Sequence, residues 1–167
     1  SRGAGESGKA RPKYIEEGHD YVEAHPERHG EDIKKLKRLV EDLLARDDIF
    51  YDPTDVEAFI EFCSMLRHKE GRWAGQPLEL SIEQKYIAAC VLGIKWHDPE
   101  LDMDVRYFRE LVLFVGRKWG KSTFISALAA YMLMLDGEAA AQIWCLATVK
   151  SQAAIVYENT KALLQSS

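Results

Sequence analysis

Gly116-Arg117-Lys118-Trp119-Gly120-Lys121-Ser122-Thr123 is a short basic loop with glycines that runs into Gly-Lys-Ser. These residue types suit phosphate chemistry. Backbone N–H groups of such a loop and of the helix it opens converge on one spot, and the helix dipole favours negative charge there. Lys121 would reach the outer phosphates of a nucleotide, and the Ser122 hydroxyl would ligate Mg²⁺. A cation at Arg117 beside the same spot would stabilise charge developing during phosphoryl transfer, so Lys121 and Arg117 are the catalytic candidates.

The spacing is a variant. The common pattern G-x-x-x-x-G-K-[ST] would place its first glycine at Val115, whereas the glycine here is Gly116. An accidental Gly-Lys-Ser in a basic turn is the bland alternative. Flanking context argues against it, since a phosphate loop must sit between a strand and a helix. A second match, Gly3-Ala4-Gly5-Glu6-Ser7-Gly8-Lys9, is similar to the loop of heterotrimeric G-protein alpha subunits. It has no room for a preceding strand, Ala10 stands where Mg²⁺ needs a hydroxyl, and Arg11-Pro12 interrupts the helix that should follow. Residues 1–13 read as a disordered Gly/Ser-rich tail.

The elements that must position the loop follow from periodicity. Leu111–Val115 is a continuous apolar run, the pattern of a strand buried on both faces of a parallel sheet. Ser122–Leu135 is its alanine-rich helix, with Gly137 as the stop. Ile143–Ala147 is a second strand and Ser151–Gln165 a second helix. Strand–helix–strand–helix predicts an α/β fold, the start of a P-loop parallel sheet with right-handed crossovers.

Upstream the chain reads as a helical annex. One short helix is expected between Tyr14 and His29. Glu31–Asp47 carries Ile33, Leu36, Leu39, Val40, Leu43 and Leu44 on one face. A helix from Asp55 to Lys69 presents Val56, Phe59, Ile60, Cys63 and Leu66, and Gly71–Pro77 is a loop. Ser81–Lys95 opens with an S-x-x-Q capping box formed by Ser81 and Gln84, and Trp96–Asp104 is polar and ends the annex. The expected organisation is a tail at 1–13, an annex at 14–104 and the first part of a nucleotide-binding domain at 105–167.

With 167 residues and 47% apolar content the chain can bury one core with a small annex. Net charge is −5, which excludes a dedicated nucleic-acid coat. Residues 1–100 hold 15 Lys/Arg against 21 Asp/Glu, and residues 101–167 hold 7 against 6, so any DNA contact would be local. Cys63, Cys90 and Cys145 sit in apolar settings and read as reduced, buried thiols of a cytosolic protein. No stretch has the length of a transmembrane helix.

From Tyr107 to Leu163 the chain resembles the ATPase domain of tailed-bacteriophage large terminase subunits. The residues that carry the likeness are Phe108-Arg109-Glu110, Arg117-Lys118-Trp119-Gly120-Lys121-Ser122, Asp136-Gly137-Glu138, Ala147-Thr148 and Gln152-Ala153. The resemblance implies a DNA-packaging motor that uses ATP and Mg²⁺ to move double-stranded DNA, with a C-terminal nuclease in the full-length protein. It implies portal and small-terminase partners, a homo-oligomer when assembled, no membrane, and the cytoplasm of a bacterial host. It also implies that Arg117 faces the γ-phosphate. The acidic residues that hold Mg²⁺ and orient water are not visible before Ser167, so the chain reads as the N-terminal part of a longer motor, inactive by itself. The rival readings are a nucleotide-kinase-like phosphotransferase and a truncated non-catalytic prophage fragment.

Several residues have two readings. Trp119 stands where the family often carries Asn; its indole must leave the phosphate space, either to pack on a neighbour or to stack on a base. Lys118 either faces the phosphates or is solvated. Gln84 lies where the family reads adenine with a glutamine, yet the capping box explains it without a ligand. Thr148, Ser151 and Gln152 follow the second strand, where open sheets place ligands, and Thr148 or Ser151 also suits an ordinary N-cap. His25 and His29 read as surface histidines rather than a metal pair. Lys34-Lys35-Leu36-Lys37-Arg38 reads as a solvated helix face.

Overall fold

The computed structural model describes residues 12–68, 74–135, 142–144, 146 and 150–165. Two compact units emerge, one of Ser1–Val56 with Ser81–Leu111 and one of Glu57–Leu80 with Val112–Ser167. The fold is mixed α/β and mostly helical. No helix among the described residues is long and apolar enough to cross a membrane. The expected tail lies outside the described residues up to Arg11.

In the first unit, α1 (Lys13–Ala24) buries Ile15, Gly18 and Val22 along one face. A 3-10 turn (Pro26–Arg28) leads into α2 (Glu31–Leu44). Glu31 and Asp32 occupy the first turn of α2, where carboxylates suit the positive end of the dipole. Its face is narrower than expected: Val40 and Leu43 are buried, whereas Leu39 is exposed. The lysine cluster on α2 is only partly the solvated face expected: Lys35 and Arg38 are exposed, whereas Lys37 is half-buried between Glu23 and Glu41, and Lys34 pairs with Glu31 and Lys35 with Asp32.

The helix expected over Ser81–Lys95 is shorter. Helix α4 (Ile82–Ala88) passes into a π turn (Ala89–Gly93), and the chain then becomes β2 (Ile94–Asp98). Trp96–Asp104, read from sequence as the polar end of the annex, is most of a hairpin formed by β2 and β3 (Met103–Arg106). Asp98 turns it, accepting from the N–H groups of Glu100 at 2.9 Å and Leu101 at 3.3 Å. With β1 (Ile49–Tyr51) these strands form an antiparallel sheet in the order β1–β2–β3, pairing Phe50 with Lys95 and Lys95 with Arg106. Lys95 is held at 2.7 Å from Asp52 and 2.8 Å from Asp55. Partial burial raises the Asp52 carboxyl, but hydrogen bonds from Lys95 and Thr54 outweigh it and bring it down to about 2.

Helix α3 (Thr54–Met65) begins in the first unit, and its part in the second, from Glu57 onward, supplies Phe59, Phe62 and Cys63 to the core there. Leu78 N–H bonds the Leu66 carbonyl at 2.8 Å and brings the chain back beside the end of α3. Helices α5 (Lys121–Met134) and α6 (Lys150–Gln165) match the two helices expected from sequence within a residue at each end. Small buried residues on α5 (Ser126, Ala127 and Ala130) let the two helices approach closely. Thr160 Oγ1 donates to the Val156 carbonyl at 2.8 Å, and Ser126 Oγ lies 3.3 Å from that same carbonyl. Phe59 of α3 meets the Tyr131 ring edge-on at 5.4 Å.

The parallel sheet expected around the loop is not formed among the described residues. Leu111–Val115 is unpaired, yet its exposure alternates with a two-residue period. Leu111, Leu113 and Val115 are half-buried, whereas Val112 and Phe114 are 72% and 89% exposed. A strand needs a neighbour to satisfy its N–H and C=O groups. Of the second expected strand, Ile143, Trp144 and Leu146 are not in strand, and Cys145 and Ala147 lie outside the described residues, as do Asp136, Gly137 and Glu138.

Candidate functional site

The basic loop lies wholly in the second unit. It ends on Gly120, which takes the left-handed conformation (φ 86°) at the N-cap of α5. Glycine is the residue that enters this region without penalty. Lacking a side chain, it offers no oxygen to the first N–H groups of α5, and no acidic residue stands in that first turn. Phe124 N–H closes the turn on the Gly120 carbonyl at 2.9 Å. The N–H groups of Lys121, Ser122 and Thr123 have no partner within the helix, as at any helix start.

Lys118 is also left-handed, at φ 70°. A residue with a β-carbon costs about 1–2 kcal/mol there. Trp119, between them, has a negative φ, since Asp102 and Lys118 are the described non-glycine residues with a positive one. Left-handed residues in such a turn can bring successive N–H groups to one side, the form of a concavity suited to an anion. Arg117, Lys118, Gly120 and Lys121 are exposed, and Ser122 and Thr123 are half-buried. Gly116 needs neither a positive φ nor a close neighbour: a β-carbon built there meets nothing within 4 Å. The space beside it is open to a ligand. These residues fit the triphosphate of a nucleotide, with three cationic side chains, uncapped N–H groups and a first-turn hydroxyl at one helix end.

Trp119 leaves the loop and packs. Its indole stands edge-on to Phe124, 5.7 Å between centroids at 82°. Phe124 is the residue that sequence reasoning missed at this site. It reads as one more apolar position of α5, and only packing reveals its contact with Trp119.

Gln84 belongs to the first unit and forms the capping box that its spacing predicts. Its amide oxygen accepts from Ser81 N–H at 3.0 Å, and its own N–H reaches Ser81 Oγ at 3.2 Å. Ser151 lies within the first turn of α6, so it is not an N-cap, and it is exposed. Thr148 and the Gln152 side chain lie outside the described residues.

His29 corrects the sequence reading. It is buried, not a surface histidine, with its ring 5.5 Å from that of Tyr21 and Nδ1 3.7 Å from Glu83. His25 points instead toward Glu27 at 3.8 Å, and no metal-binding group of three or more such side chains occurs among the described residues. Cys63 and Cys90 are free and buried as expected; burial pushes both thiols up to about 12, so neither is a nucleophile. Cys145 lies outside the described residues.

Comparison with known families adds an independent finding. The model of the ATPase domain of the terminase large subunit matches residues 84–167, a span that begins at Gln84 and takes in the loop, α5 and α6. No curated protein and no solved structure matches the chain.

Proposed function

The chain belongs to the terminase large subunit ATPase family, and from that premise we propose that its loop binds ATP with Mg²⁺ for a motor that packages double-stranded viral DNA. The observation that carries this reading is the uncapped start of α5, opened by left-handed Lys118 and Gly120 and carrying Lys121 and Ser122. Gly116, Lys118, Trp119, Gly120 and Thr123 form the cradle. Lys121 and Arg117 meet the phosphate charge and stabilise it as it grows in transfer, and Ser122 holds Mg²⁺. In this reading Leu111–Val115 takes the strand position that precedes such a loop, and residues 105–167 open the ATPase domain behind a tail (1–13) and an annex (14–104).

Hydrolysis is proposed for the full motor rather than for these residues acting by themselves. Turnover needs an acid to hold the metal and a carboxylate to orient water, and the first turn of α5 supplies neither. The portal, the small terminase subunit and further copies of the chain are the partners, in the cytoplasm of a bacterial host. Titration with Mg-ATP tests the reading. Lys121→Ala is expected to weaken binding by roughly tenfold or more, because a neutral methyl replaces a charge-assisted contact. Lys9→Ala is expected to bind as the parent chain does. Equal loss in both variants, or loss at Lys9 alone, would sink this choice of loop.

A further inference from the structure

Trp119 is the one residue of the turn whose side chain reaches inward while both neighbours are left-handed. Its edge-on contact with Phe124 at 5.7 Å is continuous with a buried aromatic row. Phe124 meets Phe59 at 6.1 Å, and Phe59 meets Tyr131 at 5.4 Å. Phe124 and Tyr131 are each 1% exposed, and Phe59 is fully buried, so the row is fixed in the core of its unit. The rest of the turn is weakly held. Arg117 and Lys118 are exposed, and Gly116 has open space around its α-carbon.

We infer that Trp119 is a positioning residue for phosphate binding: clamped on Phe124, it fixes the Lys118–Gly120 backbone in its anion-holding form before the ligand arrives. This rests on the reading of the loop as a nucleotide site. A left-handed Lys118 persists only where its surroundings over-determine it. Release the indole, and Lys118 relaxes toward negative φ, which turns the N–H groups of the turn away from one another. A ligand must then reorder the loop as it binds, and affinity falls by that cost. The indole itself touches no phosphate, so its effect passes through the backbone.

Binding of Mg-ATP and of inorganic tripolyphosphate separates this role from base stacking. Trp119→Ala is expected to weaken both ligands by the same factor, roughly tenfold, because the lost order serves the phosphates in both. Trp119→Phe keeps an aromatic edge against Phe124 and is expected to restore most of the affinity. Trp119→Leu keeps an apolar side chain at this half-buried position without the ring contact, and is expected to behave as the alanine variant does, with a melting temperature close to that of the parent chain. Three results overturn the inference: unchanged affinity in Trp119→Ala, a loss confined to ATP, or a phenylalanine variant no better than alanine. Failure of the underlying reading is visible separately, as a parent chain that binds neither ligand or a Lys121→Ala variant that binds both undiminished.

Discussion

A β-carbon on Gly18 would stand 2.3 Å from Cγ of Tyr86 and 2.6 Å from its Cβ, so α1 crosses α4 with nothing but a hydrogen between backbone and ring. The obstructing atoms are the root of the tyrosine side chain, which no rotation about its outer bonds can move aside. In an isolated helix Gly→Ala would gain about 1 kcal/mol. Here the overlap forces the helices apart, and such overpacking costs about 1–3 kcal/mol. Gly18→Ala is therefore expected to lower the urea midpoint. A rise in the midpoint would mean that the crossing yields freely.

Gln84 offers a sharper separation of two roles. Its amide oxygen is held by Ser81 N–H and its backbone N–H by Ser81 Oγ. Adenine recognition needs an amide presented to the base through both its atoms. With the oxygen turned back onto the helix start, Gln84→Ala is expected to cost about 1 kcal/mol of stability and to leave the ratio of ATP to GTP affinity unchanged. Parallel nucleotide titrations with a melting curve read both effects. A selective loss of ATP would restore the base-reading role.

The elements with long apolar periods were legible from residues. Helices α2, α3, α5 and α6 begin within a residue or two of where capping signals and periodicity put them. The capping box at Ser81 was legible too, because two side chains at fixed spacing satisfy two backbone donors. The β2–β3 hairpin was not. Lys95 reads as the last residue of a helix and His97, Asp98 and Asp104 as a polar end of the annex, whereas β2 pairs with β1, a partner more than forty residues away. His29 was missed for a similar reason: its neighbours in sequence are polar, and its burial comes from packing against Tyr21. At the candidate site the cations and glycines were legible. The left-handed Lys118 was not, since no property of lysine signals it, and neither was Phe124 as the anchor of Trp119.

His19 makes the first unit less stable in acid. Its ring stands edge-on to Tyr86 at 5.4 Å, with Nδ1 3.6 Å from Glu41. Burial lowers its pKa from the ordinary 6.5, and Lys37 adds to the effect, against the opposing pull of Glu41, Glu23 and Asp20. Folded His19 therefore binds a proton less readily than unfolded His19 does. Above the unfolded value both states are neutral there and no penalty exists. As pH falls below it, the unfolded chain takes up the proton first, and stability is lost until the folded pKa is passed. His97 acts in the opposite direction, since its bond to Asp104 raises its pKa, but it is exposed and solvent screens it. Urea denaturation at about pH 7.5 and about pH 5.5 is expected to show lower stability at the acid point, and His19→Gln, which cannot titrate, is expected to narrow that difference. A His19→Gln variant with the same pH dependence as the parent chain would place the acid sensitivity elsewhere in the molecule.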